Sequence, residues 1–206
     1  MMDELVRAAA KGNEEAFAQL VRLHENKVYH LALRLCGNPE DASDVAQEAF
    51  LSAWRGLPNF RGESGFTTWL YRLVNNAAID HLRRGKKQRF DVSIDDEEAP
   101  VDTPDPAPGP QEAAEGKELQ QAVADGLRQM NEDHRQVLVL REIQQLSYEE
   151  IAQVLQLDLG TVKSRISRAR NSLRKILLEN GNLSGYLPSN QTETRKEGGA
   201  NREKLQ

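Results

Sequence analysis

With 206 residues, 38% of them hydrophobic and 29% charged, the chain has the composition of a water-soluble globular protein of one or two domains. It holds no run of about 18 apolar residues, its Met1-Met2-Asp3-Glu4 opening lacks a basic-then-apolar leader, and Cys36 is its only cysteine. These features exclude a membrane-spanning helix, an internal disulfide and a cysteine-based metal cluster, and they place the expected protein in the cytoplasm. The net charge of −5 argues against nucleic acid only until it is mapped. Asp91 to Glu118 holds ten acidic residues and one basic, which leaves 26 basic against 22 acidic elsewhere.

In chain order, the first apolar series is Ala16, Phe17, Leu20, Val21, Leu23, Val28, Leu31, Ala32 and Leu35, whose three- and four-residue spacing predicts a helix. Cys36 follows it and reads as a small core residue in preference to a functional thiol. Asn38-Pro39 caps and starts a second helix, with Glu40 and Asp41 complementing its positive end. That helix carries Val45, Ala46, Ala49, Phe50, Ala53 and Trp54 on one side until Pro58 ends it. A third, from about Phe66 to Arg84, has Trp69, Leu70, Leu73, Ala77 and Leu82 as its apolar residues. From about Asp91 to Gly116 the acids are interleaved with Pro100, Pro104, Pro106, Pro108 and Pro110, so an extended, flexible linker is expected. Leu127 to Gln144 reads as one helix or two, and from near Asn180 to Gln206 a mobile tail is expected.

Ser147-Tyr148-Glu149-Glu150 is a capping box: the serine hydroxyl accepts the amide of residue 150, and Glu150 reaches back. The short helix it starts holds Ile151, Ala152 and Leu155; a turn at Gln156-Leu157-Asp158 and a second helix from about Gly160 to Leu178 complete a helix-turn-helix over 147–175. Val162, Ile166, Ala169, Leu173 and Ile176 fall on one side of the second helix. Thr161, Lys163, Ser164, Arg165, Ser167, Arg168 and Asn171 lie on or beside the other. From Leu159 to Lys175 there are six basic residues and no acid, as a helix lying in the DNA major groove requires. Lys163, Ser164, Ser167 and Arg168 are placed to meet base edges, and Arg170 and Arg174 to touch phosphates. Gln156 stands where many such turns have glycine, at a cost of about 1 kcal/mol for a left-handed backbone.

Longer strings carry a family resemblance. Asp44-Val45-Ala46-Gln47-Glu48-Ala49-Phe50-Leu51-Ser52-Ala53-Trp54 resembles sigma region 2.2. Phe60-Arg61-Gly62-Glu63-Ser64 with Phe66-Thr67-Thr68-Trp69-Leu70-Tyr71-Arg72 resembles region 2.3, and Asn75-Asn76-Ala77-Ala78-Ile79-Asp80-His81-Leu82-Arg83-Arg84 resembles region 2.4. Leu146-Ser147-Tyr148-Glu149-Glu150-Ile151-Ala152 and Gly160-Thr161-Val162-Lys163-Ser164-Arg165 resemble region 4.2. The order of these strings, with a linker in place of middle domains, resembles the extracytoplasmic-function sigma factors of bacterial RNA polymerase.

The resemblance implies an all-α protein of two small helical domains joined by a flexible acidic, Pro-rich linker. Region 2 is expected over 1–90, the linker over 91–117, region 4 over 118–180 and a disordered tail over 181–206. It implies docking of the region 2.2 helix on the clamp coiled coil of the largest core RNA polymerase subunit, assigned here to Asp41, Asp44, Gln47 and Glu48, with the neighbouring aromatics read as core. Minus-ten promoter DNA would be opened and held by Arg61, Trp69, Arg72, Asn75, Asn76, Asp80, Arg83 and Arg84, with Lys86 and Lys87 beside them, and Asn76 at the position that reads a flipped base. Trp69 stays open between stacking platform and core residue. The minus-thirty-five element would be read as duplex by the helix-turn-helix. A cognate anti-sigma factor, membrane-bound in many of the group, is implied; a cofactor, a metal and a small-molecule substrate are not.

An ordinary helix-turn-helix regulator would leave Asp44 to Arg84 unexplained, and a decoy for an anti-sigma factor would not need Lys163, Arg165 and Arg168. An enzyme is disfavoured because His24, His30, His81 and His134 match no metal-ligand or nucleophile–base spacing. The linker itself reads equally as a solubilising spacer or as a nucleic-acid mimic in the polymerase cleft.

Overall fold

A computed structural model describes the backbone of residues 2–91 and 110–180, and the side chains of residues 2–85 and 119–180. Every regular element among the described residues is helical. Most of the linker and the whole tail expected from composition lie outside them, as do the side chains of Lys86 and Lys87.

Four helices build the first body: α1 (Met2–Ala10), α2 (Glu14–Cys36), α3 (Pro39–Gly56) and α4 (Phe66–Asp91), with a short 3-10 turn at Leu57–Asn59. Their ends are fixed locally. The Asn13 side chain accepts the Ala16 amide at 2.9 Å and that of Asn38 accepts the Asp41 amide at 2.8 Å, which supplies partners for backbone donors a helix cannot satisfy itself. Gly37 closes α2 at φ 91°, with its amide donating to the Leu33 carbonyl, a conformation in which glycine avoids the Cβ clash. α2, α3 and α4 pack around Leu20, Val28, Leu31, Val45, Ala49, Leu57, Leu70 and Val74, all at 2% exposure or less. Full burial of each valine or leucine among them contributes about 1.5–3 kcal/mol.

The second body contains α5 (Pro110–Gln129), α6 (Glu132–Leu138), a π-helical turn (Val139–Ile143), α7 (Tyr148–Leu155) and α8 (Leu159–Glu179). The backbone from Pro110 to Gln129 is helical, so α5 begins inside the stretch that proline and acid content assigned to the linker. Proline at a first helical turn costs no hydrogen bond, which is why Pro110 can start α5. Val137, Val139, Leu140, Ile151, Val162, Ile166 and Ala169 form the centre of this body.

The two bodies pack on one another, and their buried residues form one continuous apolar cluster. α7 lies along α4, while α5, α6 and the π turn meet α2. A Cβ at Gly37 would meet the Arg128 side chain at 3.3 Å, so the end of α2 sits directly beneath α5. No helix among the described residues is long and apolar enough to cross a membrane.

Candidate nucleic-acid and polymerase interface

The helix-turn-helix is fixed at both of its helix starts. The Ser147 hydroxyl accepts the Glu150 amide at 3.1 Å, and the Ser147 amide donates to Glu150 Oε2 at 2.8 Å. Glu150 also accepts from Thr68 Oγ1 at 3.4 Å. The Ser147 amide above all, then the Ser147 and Thr68 hydroxyls, hold the Glu150 carboxyl below its ordinary range against the opposing effect of burial. Gln156 ends α7 at φ 54°, ψ 44°, with its amide donating to the Ala152 carbonyl, so the turn takes the left-handed backbone expected there, without glycine. Asp158 caps α8 by accepting the Thr161 amide at 2.8 Å and bonding the Thr161 hydroxyl. The sequence reading placed Asp158 in the turn and missed its capping role, although an Asp two residues before the expected helix start was a readable signal.

α8 divides by face. Val162, Ile166 and Ala169 are buried, and Lys163, Ser164, Ser167, Arg168 and Asn171 are exposed. Thr161 and Arg165 are half-buried. Among the described residues no carboxylate pairs with Lys163 or Arg168, whereas Arg165 meets Asp133 at 3.3 Å and Arg170 meets Glu142 at 2.6 Å. The two tethered arginines brace α8 against α6 and the π turn. Arg170, assigned to phosphate by spacing alone, is thus engaged within the protein, and its charge is partly compensated.

On α4 the expected minus-ten residues separate. Arg61, ahead of the helix, and Asn76, Asp80, Arg83 and Arg84 are exposed; Arg72 is half-buried. Arg72, Asn76, Asp80 and Arg83 recur at three- and four-residue steps, so they share one solvent-facing stripe. Asp80 pairs with Arg83 at 2.9 Å, and its carbonyl accepts from Arg84 Nε at 3.2 Å. Trp69 instead lies in the core at 8% exposure, against Phe60 and Phe66 with ring centroids 4.9 and 5.8 Å away. Asn75 is buried at 2% exposure, and its Oδ1 has no hydrogen-bond partner. The neighbours Asn75 and Asn76 therefore face opposite environments, a consequence of the 100° step along a helix.

On α3, Asp44, Gln47 and Glu48 are exposed along one edge. Asp41 is half-buried and accepts from Asn38 Nδ2 and pairs with His81 Nε2, both at 2.7 Å, so it helps join the start of α3 to α4. Beside the polar edge runs an apolar groove of about 640 Å³ between α2 and α3, lined by Phe17, Val21, Gln47, Phe50, Leu51 and Trp54. Sequence reading put Phe50, Ala53 and Trp54 together in the core. Only Ala53 is fully buried, while Phe50 and Trp54 are half-buried in the groove wall. Leu51 lies on the same rim at 43% exposure, so the groove has an apolar edge open to solvent.

A family profile described as Sigma-70 region 2 matches residues 20–88, and one described as Sigma-70, region 4 matches residues 120–173. The RNA polymerase sigma-H factor of Pseudomonas aeruginosa is 40% identical over 178 residues, covering 84% of this chain and 92% of that protein. The extracytoplasmic-function sigma factor SigW of Bacillus subtilis is 35% identical over 184 residues, covering 86% and 97%. Among solved structures, the Bartonella quintana sigma factor RpoE bound to the anti-sigma factor NepR superposes with a TM-score of 0.64 at 25% identity, over 79% of this chain and 96% of that one.

Proposed function

The chain belongs to the extracytoplasmic-function sigma factors of bacterial RNA polymerase, and from that membership we propose how its surfaces divide the work. It binds core polymerase and directs promoter-specific initiation. Polymerase supplies the catalysis, this chain supplies address and strand capture, and the site of action is the cytoplasm. The relatives that support a stress or envelope regulon are those named sigma-E and SigW.

The observation that carries the reading is α8: a capped helix with an apolar face buried and a basic face exposed, its Lys163 and Arg168 unpaired among the described residues. Its N-terminal half reads the minus-thirty-five duplex through Lys163, Ser164, Ser167 and Arg168, and its later cations contact phosphates, among them Lys175, whose solvent-exposed pairing with Glu179 at 3.6 Å is one that a phosphate can displace. Residues 118–180 form that module. Residues 1–90 form the other, in which Asp44, Gln47 and Glu48 dock polymerase beside the apolar groove, and Arg61, Arg72, Asn76, Asp80, Arg83 and Arg84 hold the melted minus-ten strand. Asn76 reads the extruded base, since it is the exposed one of the asparagine pair. Each module alone binds weakly, and holding both on one polymerase raises the effective concentration of the second contact. The Bartonella relative's complex supports an anti-sigma factor as a further partner.

A promoter library transcribed by variant holoenzymes at two salt concentrations tests the division of α8. Losing a base-reading contact costs about 1–3 kcal/mol and relaxes choice at one position. Losing a phosphate contact weakens every sequence alike and flattens the salt slope by about one unit. Arg168→Ala should therefore change which minus-thirty-five variants are preferred, and Lys175→Ala should lower activity evenly. Identical preference profiles for both variants would reject this assignment.

A further inference from the structure

We propose that His24 is a positioning residue for strand capture: through Thr67 and an aromatic cluster it fixes the loop that carries Arg61 and the first turn of α4. The proposal rests on the reading of Arg61 and α4 as minus-ten elements. His24 lies in the middle of α2 at 4% exposure. Its Nδ1 is 2.9 Å from the Leu20 carbonyl oxygen one turn earlier. A carbonyl can only accept, so Nδ1 carries the ring proton and Nε2 of the neutral ring is left as an acceptor. The donor facing Nε2 is the Thr67 hydroxyl, with Oγ1 3.4 Å away. A chain of two hydrogen bonds, from hydroxyl to imidazole to carbonyl, therefore ties the start of α4 to the backbone of α2.

The same imidazole stands edge-on to Phe66, with ring centroids 5.3 Å apart and planes at 77°. Phe66 meets Phe60 at 6.3 Å and Trp69 at 5.8 Å, and Phe60 meets Trp69 at 4.9 Å. Tilted and edge-to-face pairs at these separations attract beyond the area they bury. Phe60 and Phe66 bracket Arg61-Gly62-Glu63-Ser64-Gly65, all exposed except the half-buried Ser64. The ends of this loop are closed by the Phe60 amide on the Leu57 carbonyl and the Trp69 amide on the Gly65 carbonyl, each at 3.0 Å. Next to Arg61, Gly62 turns the chain at φ 73°, where a side chain would be strained. Both stems of the loop thus rest on the aromatic cluster. Ring packing tolerates sliding, whereas a hydrogen bond is directional, so His24 supplies the cluster with its register. A loop fixed in advance holds Arg61 for the strand without an ordering cost on binding. His24 itself is too deeply buried to meet a strand and acts through Thr67 and Phe66.

Three single variants and one double variant of the full chain test the role. Thr67→Val keeps the shape and removes the hydroxyl, Thr67→Ser keeps the hydroxyl, and His24→Phe keeps a ring while removing both hydrogen bonds. Each is assembled with core polymerase and titrated with a fluorescent single strand carrying the minus-ten sequence selected by the promoter library, and with a duplex carrying only the minus-thirty-five element. Thr67→Val and His24→Phe should each weaken strand binding about fivefold, and Thr67→Ser should stay within about twofold of wild type. The double variant His24→Phe/Thr67→Val should bind the strand within about twofold of the weaker single variant, because both changes break one chain of bonds. Assembly and duplex affinity should match wild type throughout. Wild-type strand affinity in Thr67→Val, or a loss in Thr67→Ser equal to that in Thr67→Val, overturns the proposal. So does a parallel loss of assembly and duplex binding, which would mark general instability. If His24→Phe does not fold, the two Thr67 variants decide. A wild-type holoenzyme that binds no strand would sink the minus-ten reading itself, a result distinct from failure of the positioning role.

Discussion

Among the described residues, Asn75 is the one whose environment fits its chemistry least. At 2% exposure its Oδ1 has lost water and gained no partner, and such an orphan costs about 1–3 kcal/mol. Asn75→Leu keeps the side chain's approximate shape while removing the orphan. It should raise stability by about 1 kcal/mol, seen as a rise of about 2–4 °C in thermal midpoint. An unchanged or lower midpoint would mean that the carbonyl is satisfied in solution. Neither the burial of Asn75 nor the exposure of Asn76 was legible in the sequence. Both suit a strand-binding helix by type, and only tertiary packing decides which of them meets solvent.

At the scale of the element, the helix starts show how local chemistry sets the larger geometry. Asn38-Pro39 and Ser147 to Glu150 were readable because a cap and its partner lie within one turn. α1 escaped notice, since its buried residues are only Val6 and Ala9, too few for a periodic pattern. The capping box also makes a pH prediction. Glu150 is held ionised in the fold, chiefly by the Ser147 amide, so its folded value lies below the ordinary 4.5. A lowered folded value means that the stabilisation is present above the unfolded value and is lost as pH falls through the folded one. Glu150→Gln retains an acceptor oxygen but cannot titrate. The stability difference between wild type and Glu150→Gln, measured by chemical denaturation, should be flat near neutrality and shrink below about pH 4. A difference independent of pH down to about pH 2 would contradict the role given to the carboxylate.

At the scale of the molecule, composition and periodicity indicated two helical bodies, and the docking of one on the other came as new information. Contacts such as Thr68 with Glu150 join residues 82 positions apart, and nothing in either local sequence marks the partner. Cys36 reports this packing. Burial, more than the neighbouring Asp41 and Glu132, pushes its thiol from the ordinary 9.0 up to about 12, against the pull of Arg135. Glu132 and Arg135 belong to the second body, so part of that environment exists only while the bodies are packed. Because the thiolate is the reactive form, alkylation at about pH 8 should be slower in the native chain than in denaturant by two to three orders of magnitude, roughly. Comparable rates would show that Cys36 is open to solvent and that the bodies are apart.

The central claim is that this chain gives polymerase its promoter. The most direct measurement is run-off transcription by purified core polymerase on genomic fragments, including the region upstream of this chain's own gene. The reaction is run without the chain, with it, and with its Lys163→Ala/Arg168→Ala variant. Defined transcripts should appear only when the chain is present, start downstream of a shared pair of elements, and fade or change in selection with the variant. Transcripts whose start sites and yields are the same with and without the chain would contradict the account.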